Sequence, residues 1–264
     1  LGVDESEDLA ESSVPPLDLG EVHELLARIE EVVCDPHIVL VGGQAVSVWF
    51  EQLEGRVGGT LNAAQVVSGD LDLLGHAQDA RRAAELLGGR VHLSRWEERT
   101  PLAGVAIFID DHGHERRLDV MRSVYGMRSD DIRDTAIGVD VRLNDRREVR
   151  VWVMHPERCM ESRVHNSALP NKQTDLAWRQ LRASILCARA FSEMLLDERG
   201  EAAVRDVLNL NERIFQFAQS DRCMRLALDR GIEIFDAVLD DDRLPANFRT
   251  IRLPQMREAI RASH

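Results

Sequence analysis

Ser68-Gly69-Asp70-Leu71-Asp72 decides how this chain is read, together with Val39-Leu40-Val41-Gly42-Gly43-Gln44 upstream of it. Successive side chains of a strand point to opposite faces, so an Asp-x-Asp on a strand presents both carboxylates on one side. Two carboxylates that close repel each other unless a cation lies between them, and hard oxygens at that separation suit Mg²⁺. The upstream run is a short apolar strand that stops at two glycines. At a strand-to-helix junction such a turn offers backbone N–H groups to a phosphate. A phosphate cradle beside a carboxylate pair points to metal-assisted chemistry on a nucleotide.

A third carboxylate bears on that pair. Asp119, in Arg117-Leu118-Asp119-Val120-Met121, sits in the middle of a segment otherwise suited to burial. An aspartate there is costly unless it is paired or binds metal. Its plainer role is an ion pair with Arg116 or Arg117. If its strand lies beside the Asp70–Asp72 strand, three carboxylates converge, as two-metal phosphoryl transfer requires. Asp70, Asp72 and Asp119 are therefore the expected catalytic and metal-binding residues.

The hydrophobic pattern predicts an α+β chain: a mixed-sheet core followed by a C-terminal helical domain. Residues 1–16 are polar and acidic and end in Pro15-Pro16, which predicts a flexible tail. Residues 17–158 form the expected α/β core. Helical spacing covers 17–33, 44–53 and 77–87, and strands are expected at 37–41, 66–74, 105–109, 115–121, 139–143 and 149–153. Gly55, Gly58 and Gly59 mark a loop, and Asp110-Asp111-His112-Gly113-His114 a solvated hairpin turn. From 159 to 264 the pattern is helical, with helices at 176–196, 201–208, 211–218, 222–237 and 253–262. Trp49 and Trp178 fit core packing better than base stacking.

The order Gly42-Gly43, Asp70-Leu71-Asp72, Asp119 resembles the nucleotidyltransferase fold of the DNA polymerase β superfamily. The long interval from Gly43 to Asp70, Ser68 two residues before the first aspartate, and the helical C-terminal half are similar to its AbiEii-type branch. That branch comprises toxin components of bacterial toxin–antitoxin systems. The resemblance implies transfer of a nucleoside monophosphate from a nucleoside triphosphate to an acceptor hydroxyl, with Mg²⁺ as cofactor. It implies that Gly42, Gly43 and Ser68 hold the nucleotide. A basic residue followed by Asp completes the nucleotide site in the branch, and the matching positions here are Arg163, Lys172 and Asp175. Arg163 stands where relatives often place Lys, and a guanidinium neutralises phosphate with a different geometry. The implied acceptor is RNA, tRNA above all, and the implied protein partner is an antitoxin. The aminoglycoside nucleotidyltransferases share the core and a helical half, which makes a small cationic acceptor the alternative. A non-catalytic nucleotide-binding module is the third.

Bulk properties narrow these classes. The 264 residues are 44% hydrophobic and 30% charged, as in ordinary globular proteins. No apolar run approaches the roughly 20 residues that span a bilayer. The acidic start is not a secretory pattern, and four scattered cysteines without CxxC spacing read as reduced thiols of a cytoplasmic protein. A net charge of −13 argues against a broad electrostatic grip on nucleic acid but leaves room for a local basic groove. Lys172 is the only lysine; every other basic residue counted among the 33 is arginine.

Overall fold

Short apolar runs become strands where both faces can be covered. The computed structural model describes residues 17–58, 61–95, 97–143 and 146–263, so the expected tail and Gly59 lie outside it. The first half supplies α1 (Leu19–Arg28), α2 (Glu30–Val33), β1 (Val39–Val41), α3 (Gly42–Gln52), α4 (Glu54–Val57), β2 (Leu71–Leu74) and α5 (Ala77–Leu86). Then come β3 (Arg90–Leu93), β4 (Leu102–Ile109), β5 (Glu115–Met121), α6 (Ser129–Thr135), β6 (Ile137–Arg142) and β7 (Glu148–Val153). The helical part is α7 (Pro156–Asn166), α8 (Asp175–Arg199), α9 (Val204–Ala218), α10 (Asp221–Arg230) and α11 (Leu253–Ser263). The fold is α+β, with a mixed seven-stranded sheet and a C-terminal helical region.

The strands run β3-β4-β5-β2-β1-β7-β6 across the sheet. β1 pairs antiparallel with β2 and parallel with β7, while β2 pairs parallel with β5. The flanking pairs are antiparallel. Two register pairs position the site. Asp72 lies opposite Asp119 across β2 and β5, and Val41, the last residue before the glycines, lies opposite Asp72 across β1 and β2.

Several elements differ from their sequence-based outlines for local reasons. β2 starts at Leu71, so Asp70 sits in the bend before the strand and not on it. The helix expected over 17–33 divides at Ile29. β3 escapes a periodicity search because it is a mostly exposed edge strand, Arg90-Val91-His92-Leu93, with little apolar alternation. The two helices expected over 201–218 are one, α9, entered through a 3₁₀ turn at Gly200–Ala203. The helix expected over 222–237 ends at Arg230, because Gly231 adopts the left-handed conformation (φ 59°) that closes α10.

The helical region is continuous with the sheet. The expected boundary at 158–159 falls inside α7, and one buried apolar cluster runs from Leu17 to Ile260. Trp49 of α3 shows the join: its Nε1–H donates to the Met154 carbonyl (2.8 Å), and its ring meets Phe191 of α8 edge-on at 5.5 Å. Glu157, at the start of α7, is 2% exposed and takes a bidentate hydrogen bond from Arg213 of α9 (Nε–H to Oε1 2.9 Å, Nη2–H to Oε2 2.8 Å). Removing one partner of a buried pair strands the other charge. Because Arg213 is itself half exposed, Arg213→Ala is expected to cost about 2–3 kcal/mol, near the lower end of the range for breaking such pairs. Urea unfolding at unchanged slope checks this.

Candidate active site

Gly42 is required twice over. Its φ of +71° is left-handed backbone that a side chain strains, and a Cβ there would collide with Oδ2 of Asp72. A Cβ on Gly43 would overlap the amide of Gln180 and press on the Ser68 side chain. The glycines thus let β1 turn into α3 directly against the carboxylate and the Ser68 loop. Val41 supplies no side-chain cap to α3, so the first N–H groups of this helix have no capping side chain.

The Ser68 loop is held from beneath by amides and a hydroxyl. Gln44 Nε2–H donates to the Ser68 carbonyl (2.6 Å), and Ser47 Oγ–H lies 3.0 Å from the Val66 carbonyl. Gln180 of α8, 3% exposed, donates through Nε2–H to the Val66 carbonyl (3.0 Å) and accepts from Arg163 Nη1–H through Oε1 (3.1 Å). Sequence reasoning missed Gln180 and Gln44. The available signal was an uncharged polar residue on a helix position that the apolar period marks as buried.

Asp72 and Asp119 converge beside this loop. Burial, first, and the Asp119 charge, second, push the Asp72 carboxyl up to about 7. Burial also raises Asp119, with Arg117 pulling against it. Oδ1 of Asp119 is buried without a hydrogen-bond partner. Arg117 approaches it only to 3.9 Å, while Arg116 turns away to Asp110 (2.7 Å) and Glu21 (3.5 Å). The simple ion-pair role for Asp119 is therefore at most a long contact with Arg117. Arg163 lies deep in the site, where burial lowers its pKa and the Asp72 charge works the other way.

A cavity of about 490 Å³ opens over these groups and is lined by Gly42, Gly43, Ser68, Asp70, Asp72, Asp119, Arg163 and Lys172. Asp70 is exposed at its mouth, and Lys172 approaches from a 3₁₀ turn, Pro170–Lys172. Asp175 is not in the lining. It is exposed in the first turn of α8, where a carboxylate suits the helix dipole. Among the described residues no three His, Cys, Asp or Glu side chains are grouped to hold a metal ion, so the three aspartates share a cavity without forming a ready-made triad. Mg²⁺ commonly uses one or two carboxylates plus substrate phosphates. The facing pair, the unpartnered Asp119 oxygen and the open cleft fit that mode. Trp178 packs only partly against the core and also lines the cavity. His112 and His114 lie in the hairpin turn, where Asp110 Oδ1 accepts from both their backbone N–H groups (3.0 and 2.8 Å).

Two solved structures match the chain. An antigenic nucleotidyltransferase-like protein from Paracoccidioides brasiliensis matches at 13% identity and TM-score 0.39, over 74% of this chain and 94% of that one. JHP933 from Helicobacter pylori matches at 13% identity and TM-score 0.38, over 94% of this chain and 91% of that one. No protein-family model matches the chain, and no curated protein does. The site itself, and not these loose likenesses, carries the functional conclusion. No described helix is long and apolar enough to cross a membrane, and all four cysteines are free.

Two outcomes are expected. Between the ordinary aspartate pKa and about 7, native Asp72 holds a proton that the unfolded chain releases, so stability falls as pH rises through this window. Asp72→Asn should flatten that fall and exceed the wild type in stability above it, in metal-free urea unfolding. Gly42→Ala should destabilise the protein by at least about 1–2 kcal/mol, the cost of a side chain in left-handed backbone, with the Asp72 collision added. The same unfolding assay reads it.

Proposed function

We propose that the chain is a Mg²⁺-dependent nucleotidyltransferase that moves a nucleoside monophosphate from a nucleoside triphosphate to an acceptor hydroxyl, with RNA, tRNA above all, as acceptor. The observation that carries this reading is the opposition of Asp72 and Asp119 on β2 and β5, directly beside Gly42-Gly43 and Ser68. The N–H groups at the start of α3 and the Ser68 hydroxyl would hold phosphate oxygens. Arg163 and Lys172 would neutralise the triphosphate. Asp72 and Asp119, with Asp70 at the mouth, would hold Mg²⁺, which when bound offsets negative charge on the phosphates.

The chemistry asked of the side chains is modest. Asp119 would accept the acceptor proton. The hydroxyl oxygen forms a bond to the α-phosphorus as the bond to the bridging oxygen breaks, and pyrophosphate leaves. Nothing beyond triphosphate and acceptor is consumed. The toxin role and an antitoxin partner come with the AbiEii-type resemblance. A small cationic acceptor is the second reading, favoured by the net charge of −13.

Incubation with each α-labelled nucleoside triphosphate, Mg²⁺ and either total RNA or an aminoglycoside tests both. Labelled RNA is expected. Asp72→Asn and Asp119→Asn should each lower the rate by roughly 10²–10⁴-fold, the equivalent of several kcal/mol of lost charge stabilisation. No labelled product with either acceptor, or unchanged rates in both variants, removes the proposal.

A further inference from the structure

Several arginines of the helical region lie on carboxylates, among them Arg213 on Glu157, Arg252 on Glu212 and Arg257 on Asp240. Three spaced along α10, from its first turn to its last residue, are among those that do not. Arg222 reaches Nδ1 of His165 (2.7 Å), Arg225 donates to the Asp221 carbonyl (3.3 Å), and Arg230 lies over the Trp178 ring at 4.7 Å. Among the described residues no carboxylate stands within ion-pair distance of these three guanidiniums.

Their position matters as much as their charge. Arg222, Arg225 and Arg230 line a hollow of about 450 Å³ with Gln173 and Trp178, and Asp229 is its acidic wall residue. That hollow shares Ser167 and Trp178 with the candidate active site. A second hollow, of about 510 Å³ and with Asp221 on its wall, carries Arg222 and Arg225 beside Tyr125. Tyr125 is half exposed and also lines the candidate active site. The cations of α10 thus adjoin the candidate cavity through two hollows, each of which shares an aromatic residue with it.

This combination has a specific reading. Guanidiniums without carboxylate partners bind phosphate oxygens by planar, bidentate hydrogen bonds, and aromatic faces stack bases of any sequence. In a chain of net charge −13, such a row of cations beside the cleft would draw a polyanion there and repel a cation. We infer that the acceptor is a single-stranded polynucleotide, its phosphodiester backbone crossing α10 on Arg222, Arg225 and Arg230, its bases passing Trp178 and Tyr125 to bring a hydroxyl to Asp119. The role as acceptor rests on the nucleotidyltransferase reading; the strand-binding surface does not.

The test is binding of fluorescein-labelled single strands, RNA and DNA of one sequence, by anisotropy without triphosphate or metal. The variant is Arg225→Glu/Arg230→Glu, two exposed positions whose reversal leaves the core intact, with circular dichroism as the folding check. The wild type should bind with strong salt dependence. The variant should bind at least about tenfold more weakly, with a salt slope smaller by roughly 1.4 for two lost single-strand phosphate contacts. Tighter RNA binding assigns the acceptor to RNA, and tighter DNA binding to DNA. No strand binding by the wild type at low salt, or equal affinity and slope in the variant, overturns the inference. Aminoglycoside labelling that the variant leaves unchanged, with no labelling of either strand, overturns it while the transferase reading stands. Arginine-dependent strand binding with no nucleotidyl transfer removes the transferase reading and leaves the surface.

Discussion

Asp72 and Asp119 face each other from adjacent parallel strands, and the rest of the site is arranged around their repulsion. Burial keeps water from screening the pair, so the Asp72 carboxyl rises to about 7. A protein gains nothing in stability from such a pair, and strain of this kind belongs to sites that bind something. Arg163 offsets part of it from deep in the cleft but is itself held below its ordinary pKa by burial. A divalent cation would meet both carboxylates at once in charge and donor preference.

The helical region completes the site and is not an appendage to it. Arg163 comes from α7, Gln180 and Trp178 from α8, and Lys172 from the turn between them. Gln180 ties Arg163 to the Ser68 loop, so the cavity walls from sheet and helices share one buried amide. Gly43 has no room for a side chain because that amide fills the space. The bond between Glu157 and Arg213 then fixes α7, which carries Arg163, against α9.

Much of this was legible in the sequence because it is local. Gly42-Gly43 marked a strand–helix turn, and the apolar runs around Asp72 and Asp119 marked buried strands. Their mutual register is a property of the tertiary pairing that no local pattern encodes. Asp-x-Asp invites alternation and so a strand position for Asp70, whereas pairing begins one residue later. Asp175 followed from motif order, yet it faces solvent at a helix start. Gln180 and the α10 arginines carry no motif, since their partners are distant in the chain: Gln180 meets Val66 across 114 residues, and Arg222 meets His165 across 57.

The most direct measurement counts protons released when Mn²⁺ binds, by titration calorimetry in buffers of different ionisation enthalpy. A metal that displaces the proton on Asp72 should release close to one proton below pH ~7 and progressively less above it. Asp72→Asn should lose that release. Mn²⁺ binding with no proton release that depends on Asp72, or no binding at all, contradicts the account.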